Sequence, residues 1–157
     1  MDSENGILTA LDATFRDGGY YNNWNFDIDL ANEYLKVMEI SKINAVEIGF
    51  RSPSRKDIGL FANVTDFFIE DKLYIPKIDY FGVMINSSEF DYDLANELFV
   101  YCDRSPINLV RSATHFSKVD SAEIILKYIK FLVMSFLTRK PSLYGRKSRG
   151  LVNLLRD

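Results

Sequence analysis

The spacing of apolar positions changes period several times along this chain. ILTALDA at 7–13 is short and mostly apolar, which predicts a buried strand running into a turn at Arg16-Asp17-Gly18-Gly19. DIDLANEYLKVMEIS at 27–41 sets Leu30, Ala31, Tyr34, Leu35 and Met38 on one helical face, with Asp27 as N-cap. AVEIGF at 45–50 predicts a second strand, stopped by Arg51-Ser52-Pro53, and VTDFFIEDKL predicts a helix after it. YFGVMIN (80–86) and INLVRSATH (107–115) predict strands three and four, separated by a helix over YDLANELFVYC (92–102). AEIILKYIKFL (122–132) is the clearest helix, with Ile125, Ile129 and Leu132 in line and Asp120 and Glu123 at capping-box spacing.

Strand and helix thus alternate four times, the pattern of parallel βα units in either a barrel or a doubly wound sheet. No GxGxxG follows the first strand, so the dinucleotide-binding variant lacks its main signature. In a barrel the C-terminal ends of the strands converge on one face. Here those ends carry Arg16-Asp17, Glu47 to Arg51, Asn86, and Arg111 to His115.

Composition narrows the class. With 47% hydrophobic and 26% charged residues in 157, the chain has the make-up of one soluble globular domain. Its longest near-continuous apolar run, FLVMSFL, is far short of the roughly 18 residues of a membrane span. MDSENG does not open a signal peptide, and a single cysteine, Cys102, allows neither an internal disulfide nor a cysteine-rich metal site. A cytoplasmic location is the expectation. The net charge of −3 conceals an asymmetry. Residues 138–157 hold six basic side chains against one acidic, a balance of +5, whereas the preceding residues hold 13 against 21, a balance of −8.

The strand ends carry candidate chemistry. Asp17 is a hard oxygen ligand of the type Mg²⁺ or Mn²⁺ prefers. Arg16 presents a planar fork of donors suited to a carboxylate or a developing enolate oxygen. Glu47, flanked by apolar residues, needs a partner, and Arg16 on the adjacent strand is the natural one. A purely structural Arg–Glu pair beside a glycine turn explains the same spacing equally well.

LDATFRDGGYYNNWNF, AVEIGFRSP and LVRSATHFSKVD together resemble the HMG-CoA-lyase-like superfamily, the DRE-TIM metallolyases, and in particular its 4-hydroxy-2-oxovalerate aldolase branch. The resemblance covers roughly residues 6–130, and the family's Asp, Arg and Glu fall on Asp17, Arg16 and Glu47. It implies a (β/α)₈ barrel that uses Mn²⁺ or Mg²⁺ to cleave or form a carbon–carbon bond next to a carbonyl. Asp17 would be a metal ligand, Arg16 would stabilise a pyruvate enolate, and Glu47 would orient Arg16.

The match has departures. This aldolase branch carries a histidine base shortly after its RDG; here Tyr20, Tyr21 and Asn22 stand there. Tyr21 is a candidate for proton transfer or for lining the pocket. Arg51 and Arg111 are candidates to bind a substrate carboxylate or phosphate, with solvated loop arginines as the alternative. His115, the single histidine, is a candidate for the substrate site or a hydrogen-bonding structural residue. The aromatics across 20–26 suit either a substrate lid or packing of the first helix.

A complete barrel of this type needs about 250 residues. An N-terminal half-barrel over 1–130 and a basic, non-family tail over 131–157 are therefore expected. Either a truncation or a change of reading frame near residue 131 accounts for the tail: shifted by two bases, one coding of Phe131–Ser135 yields Leu-Gly-Tyr-Glu, which suits entry into strand five. The family's His-x-His metal ligands are missing, so a lone chain is expected to bind Mn²⁺ only weakly and to lack aldol activity. Exposed sheet edges favour self-association. Two other functions fit the composition: an acyl-CoA-dependent condensing or HMG-CoA-lyase-like enzyme of the same superfamily, and a non-catalytic anion-binding fragment. The tail has no nucleic-acid motif.

Overall fold

A computed structural model describes residues 10–101, 103–134 and 151–154. Five strands form one parallel sheet in the order of the chain: β1 (Leu11–Asp12), β2 (Ala45–Phe50), β3 (Tyr80–Asn86), β4 (Leu109–Ala113) and β5 (Leu151–Leu154). The register runs Leu11↔Ala45, Ala45↔Tyr80, Gly82↔Leu109 and Leu109↔Leu151. Helices α1 (Thr14–Asn22) and α2 (Ile28–Ile40) connect β1 to β2. They are followed by α3 (Asp66–Lys72), α4 (Tyr92–Leu98) and α5 (Val119–Met134), one after each further strand. A doubly wound sheet reverses its strand order at a switch point; this sheet never does, so the chain is part of a βα barrel.

β2 and β3 form where apolar residues run without a break, as strands buried on both faces require. Val46, Ile48, Phe81, Val83, Ile85 and Val110 build the core with Ala31, Leu35, Phe68, Ile69, Leu126 and Ile129 from the helices. Each is under a tenth exposed. Side-chain caps start three of the helices. The carboxylates of Asp27 and Asp91 accept from the Leu30 and Leu94 amides, and the Thr65 hydroxyl from that of Phe68. Gly82 leaves room for a close approach of β4: a Cβ there would lie 1.8 Å from the Leu109 carbonyl oxygen.

Several sequence expectations change. Arg16-Asp17-Gly18-Gly19 is not a turn but the interior of α1, which begins two residues after β1 ends. The Asp12 carboxylate accepts the Thr14 amide at 2.9 Å, and the Asp17 amide donates to the Ala13 carbonyl at 2.9 Å. These bonds start a helix where glycine punctuation alone suggests a loop. α4 stops at Leu98 rather than 102, because the Arg51 guanidinium takes the Leu98 carbonyl at 3.0 Å and Phe99 turns extended into the core. α5 begins at Val119, so Asp120 lies inside its first turn and not at the cap position of a capping box. Residues 151–154, assigned from sequence to the basic tail, pair with β4 as the fifth strand. Residues 7–9 of the expected first strand, Cys102 and residues 135–150 lie outside the described residues. Among the described residues no helix is long and apolar enough to cross a membrane.

Candidate active site

The chemistry centres on Glu47, the third residue of β2 and wholly buried. Its Oε1 lies 2.8 Å from Nε of Arg16, and its Oε2 lies 3.1 Å from Nη1 of Arg111. Arg16 reaches it from the first turn of α1, and Arg111 from the third position of β4. β3 runs between β2 and β4, with Gly82 in register with Glu47 and Met84 in register with Arg111. The Met84 sulfur receives Nη1 of Arg16. The remaining Arg16 nitrogen, Nη2, lies 2.8 Å from Oδ2 of Asp17, whose side chain is 62% exposed. The cluster thus grades outward from a buried carboxylate, through two mostly buried guanidiniums, to a wet carboxylate at the start of α1.

Burial pushes the Glu47 carboxyl above its ordinary value of 4.5; the guanidiniums of Arg16 and Arg111 pull it back toward the ionised form, and Asp17 opposes them. A strand glutamate in this position is held against its own desolvation cost by two cations. Nearby, burial would also lift Asp12, but hydrogen bonds from the Tyr34 hydroxyl and from Thr14 outweigh it and bring Asp12 below 3.8. Burial and the Asp12 carboxylate raise the Tyr34 phenol, so it stays a donor.

The structure brings together Arg16, Asp17, Glu47 and Arg111. Arg111 stands where sequence reasoning placed a substrate contact, yet one of its nitrogens is committed to Glu47 and the residue is 8% exposed. Arg51 does not join the cluster. It is 1% exposed, with Nε donating to the Val64 carbonyl at 2.8 Å, Nη1 to Leu98 and Nη2 to Asp66, and its plane lies over Phe99. Its donors are spent on fastening the segment after β2, which removes it from the candidate substrate contacts. Tyr21 is 96% exposed on α1, away from the buried cluster, so the proton-transfer expectation finds no geometric support. His115 is exposed at the start of the single 3-10 turn before α5, its carbonyl accepting the Lys118 amide. Of the aromatics of 20–26, Trp24 is buried, Phe26 meets Phe15 at 4.5 Å with tilted rings, and Tyr20 sits edge-on to Trp24, whereas Tyr21 stays in solvent.

Sequence reasoning missed Met84 and Trp24. The indole N–H of Trp24 donates to the Arg16 carbonyl at 2.8 Å. No local pattern announces either contact; for Met84, only its register with Arg111 in the parallel sheet could have suggested it.

For a divalent cation the described residues are insufficient. Asp17 is already paired with Arg16, and among the described residues no group of three histidine, cysteine, aspartate or glutamate side chains gathers to hold a metal. One carboxylate beside an arginine does not make a cation site.

The described residues form a partial parallel βα barrel, with an Arg–Glu–Arg cluster contributed by the middle of β2, the middle of β4 and the first turn of α1 rather than by the strand ends expected from sequence. No family model matches the chain, and no curated protein does. Among solved structures it is similar to one described as the "N-terminal domain of a putative aldolase", from Bacteroides vulgatus, with a TM-score of 0.70 and 25% sequence identity. The similarity covers 86% of this chain and 48% of that one, so this chain spans about half the length of the structure it matches.

Proposed function

We propose that the chain supplies the enolate-stabilising half of a carbon–carbon lyase, an aldolase acting on 4-hydroxy-2-oxo acids to release pyruvate. The observation that carries this reading is the buried Glu47 carboxylate held between Arg16, just past the end of β1, and Arg111 within β4 of a partial barrel sheet. Arg16 and Arg111 balance Glu47 and Asp17, so with Asp17 drawn onto a cation the Nη2 of Arg16 that it now holds would be free for a 2-oxo acid carboxylate or the enolate oxygen that develops beside it. The charge of Glu47 holds Arg16 in place, and the bonds of its other nitrogens to Met84 and Asp17 orient the guanidinium before substrate arrives, so little reorganisation is needed during reaction. Arg111 steadies Glu47 from the opposite side. Asp17 would add one carboxylate to a Mn²⁺ or Mg²⁺ whose other ligands come from outside the described residues.

A graft tests this reading. Residues 10–130 would replace the corresponding segment of the similar aldolase domain, and pyruvate release from a 4-hydroxy-2-oxo acid would be followed. The graft is expected to turn over, with Arg16→Ala lowering turnover far more than Mn²⁺ binding and Asp17→Asn lowering Mn²⁺ binding. Equal losses from Arg16→Ala in both quantities, or turnover indifferent to both variants, would contradict the assignment.

A further inference from the structure

α1 carries Arg16, yet little in the helix itself holds it in shape. It has nine residues, contains two adjacent glycines, and its N-cap residue Ala13 makes no side-chain cap bond. Short glycine-bearing helices are unstable unless something outside them supplies the order. The structure provides an unusual support. Asn23 and Trp24, directly after the helix, both take the left-handed conformation with φ of 55°. Asparagine tolerates this; tryptophan rarely adopts it, and such residues persist only where their surroundings over-determine them.

The surroundings do so here. The Trp24 amide donates to the Gly19 carbonyl at 3.0 Å, and the Gly59 amide donates to the Asn23 carbonyl at 2.8 Å. The double left-handed step folds the indole back over the helix it follows. There its N–H meets the Arg16 carbonyl at 2.8 Å, and its ring lies so close to Gly19 that a Cβ would come within 2.0 Å of Cδ1. Gly19 is therefore a seat for the indole. The outer side of the indole is closed by Tyr20 and Phe50, edge-on at 4.7 and 5.7 Å, and by the Arg55 guanidinium 4.8 Å from the ring. Trp24 is 6% exposed.

We propose that Trp24 is the positioning residue for Arg16: its backfolded indole clasps the first turn of α1 and so holds the Arg16 guanidinium against Glu47. The importance of this clasp for catalysis rests on the lyase reading above, but the clasp itself does not. It acts on Arg16 whatever reaction Arg16 serves.

The test uses the chain as it is. In ¹⁵N-labelled protein the Nε–H of Arg16, buried with its nitrogen 2.8 Å from Oε1 of Glu47, and the Nε–H of Arg51, bonded to Val64, give separate signals whose exchange with water can be timed. Trp24→Phe removes the indole N–H and keeps an aromatic ring. Incorporation of benzothienylalanine at position 24 keeps the bicyclic shape and lacks only the N–H, so it decides the matter if the phenylalanine variant does not fold. Loss of one hydrogen bond predicts roughly three- to tenfold faster exchange at Arg16 Nε–H and at the amides of α1, with Arg51 Nε–H unchanged. Equal acceleration at Arg16 and Arg51 would show that Trp24 merely stabilises the whole fold. Unchanged exchange at Arg16 in a folded variant would likewise overturn the proposal. Neither readout depends on aldolase activity, so failure of the lyase reading and failure of the clasp are distinguishable.

Discussion

Replacing Arg51 with methionine should cost far more stability than a surface arginine could. Arg51 is 1% exposed, and its guanidinium serves three acceptors: the Val64 carbonyl, the Leu98 carbonyl and the Asp66 carboxylate. Methionine fills much of the volume and leaves all three acceptors without their donor. The largest share falls on Asp66, whose side chain is 17% exposed and whose other carboxylate oxygen is buried without a hydrogen bond. Breaking a buried pair by removing one partner costs about 3–5 kcal/mol, so a loss of about 4 kcal/mol is expected. That is a large part of the roughly 5–15 kcal/mol holding a domain together. With a urea slope of about 2 kcal/mol per molar, the unfolding midpoint should fall by about 2 M. Lysine should not restore it, because a single ammonium cannot span three acceptors set around a planar fork. Adding Asp66→Leu to Arg51→Met should recover about 2 kcal/mol by removing the stranded charge. Urea melts followed by circular dichroism measure all three variants. A loss below about 1 kcal/mol for Arg51→Met would refute the structural role and return Arg51 to the substrate site.

Three further outcomes follow from neighbouring geometry. Gly19→Ala should destabilise by about 1–2 kcal/mol, since crowding against the Trp24 indole exceeds the gain in helix propensity. Gly18→Ala, whose Cβ would meet Phe26 at an ordinary 3.6 Å, should stabilise by about 0.5–1 kcal/mol; equal effects in urea melts would contradict the seat assigned to Gly19. Glu47 has a folded-state value above its unfolded 4.5, so its contribution is fully present below about 4.5 and is lost as pH rises through the raised value. Thermal melts across that window should show a decline in the wild-type chain that Glu47→Gln lacks; parallel profiles would argue against the burial effect. Asp12 lies the other way: its contribution is present above 3.8 and lost as pH falls through its lowered folded value. Tyr34→Phe should therefore cost about 1 kcal/mol at neutral pH, and the deficit should shrink in acid; a deficit independent of pH would separate Tyr34 from Asp12.

Much of the scaffold was legible in the pattern of residues. β2 and β3 have the bounds their apolar runs predict, because strands buried on both faces need continuous apolar sequence. Asp27 caps α2 as its position before an amphipathic run suggests. The pairing of Glu47 with Arg16 was legible too, since a buried carboxylate must find a cation and Arg16 follows the neighbouring strand, although it reaches Glu47 from α1 and not from the strand itself. What escaped were contacts set by chain segments distant in sequence. Arg51 resembles a loop arginine until Asp66 and the carbonyls of Val64 and Leu98 close around it. Arg16-Asp17-Gly18-Gly19 resembles a turn because its helix is secured by Asp12 before it and Trp24 behind it. Arg111 could be placed at a strand end from sequence, but its commitment to Glu47 depends on the sheet register across Gly82.

The proposed function requires that Arg16 and Arg111, braced on Glu47, receive a 2-oxo acid or its enolate. Titration of the chain with oxalate, a planar dianion with the shape of a pyruvate enolate, reads this directly through the Arg16 Nε–H signal. A saturable change is expected at Arg16 and at the Glu47 carboxyl, weakened by salt and abolished in Arg16→Met, with Arg51 unaffected. A folded chain whose Arg16 signal ignores oxalate, or an Arg16→Met variant that binds it as well as the wild type, would contradict the claim.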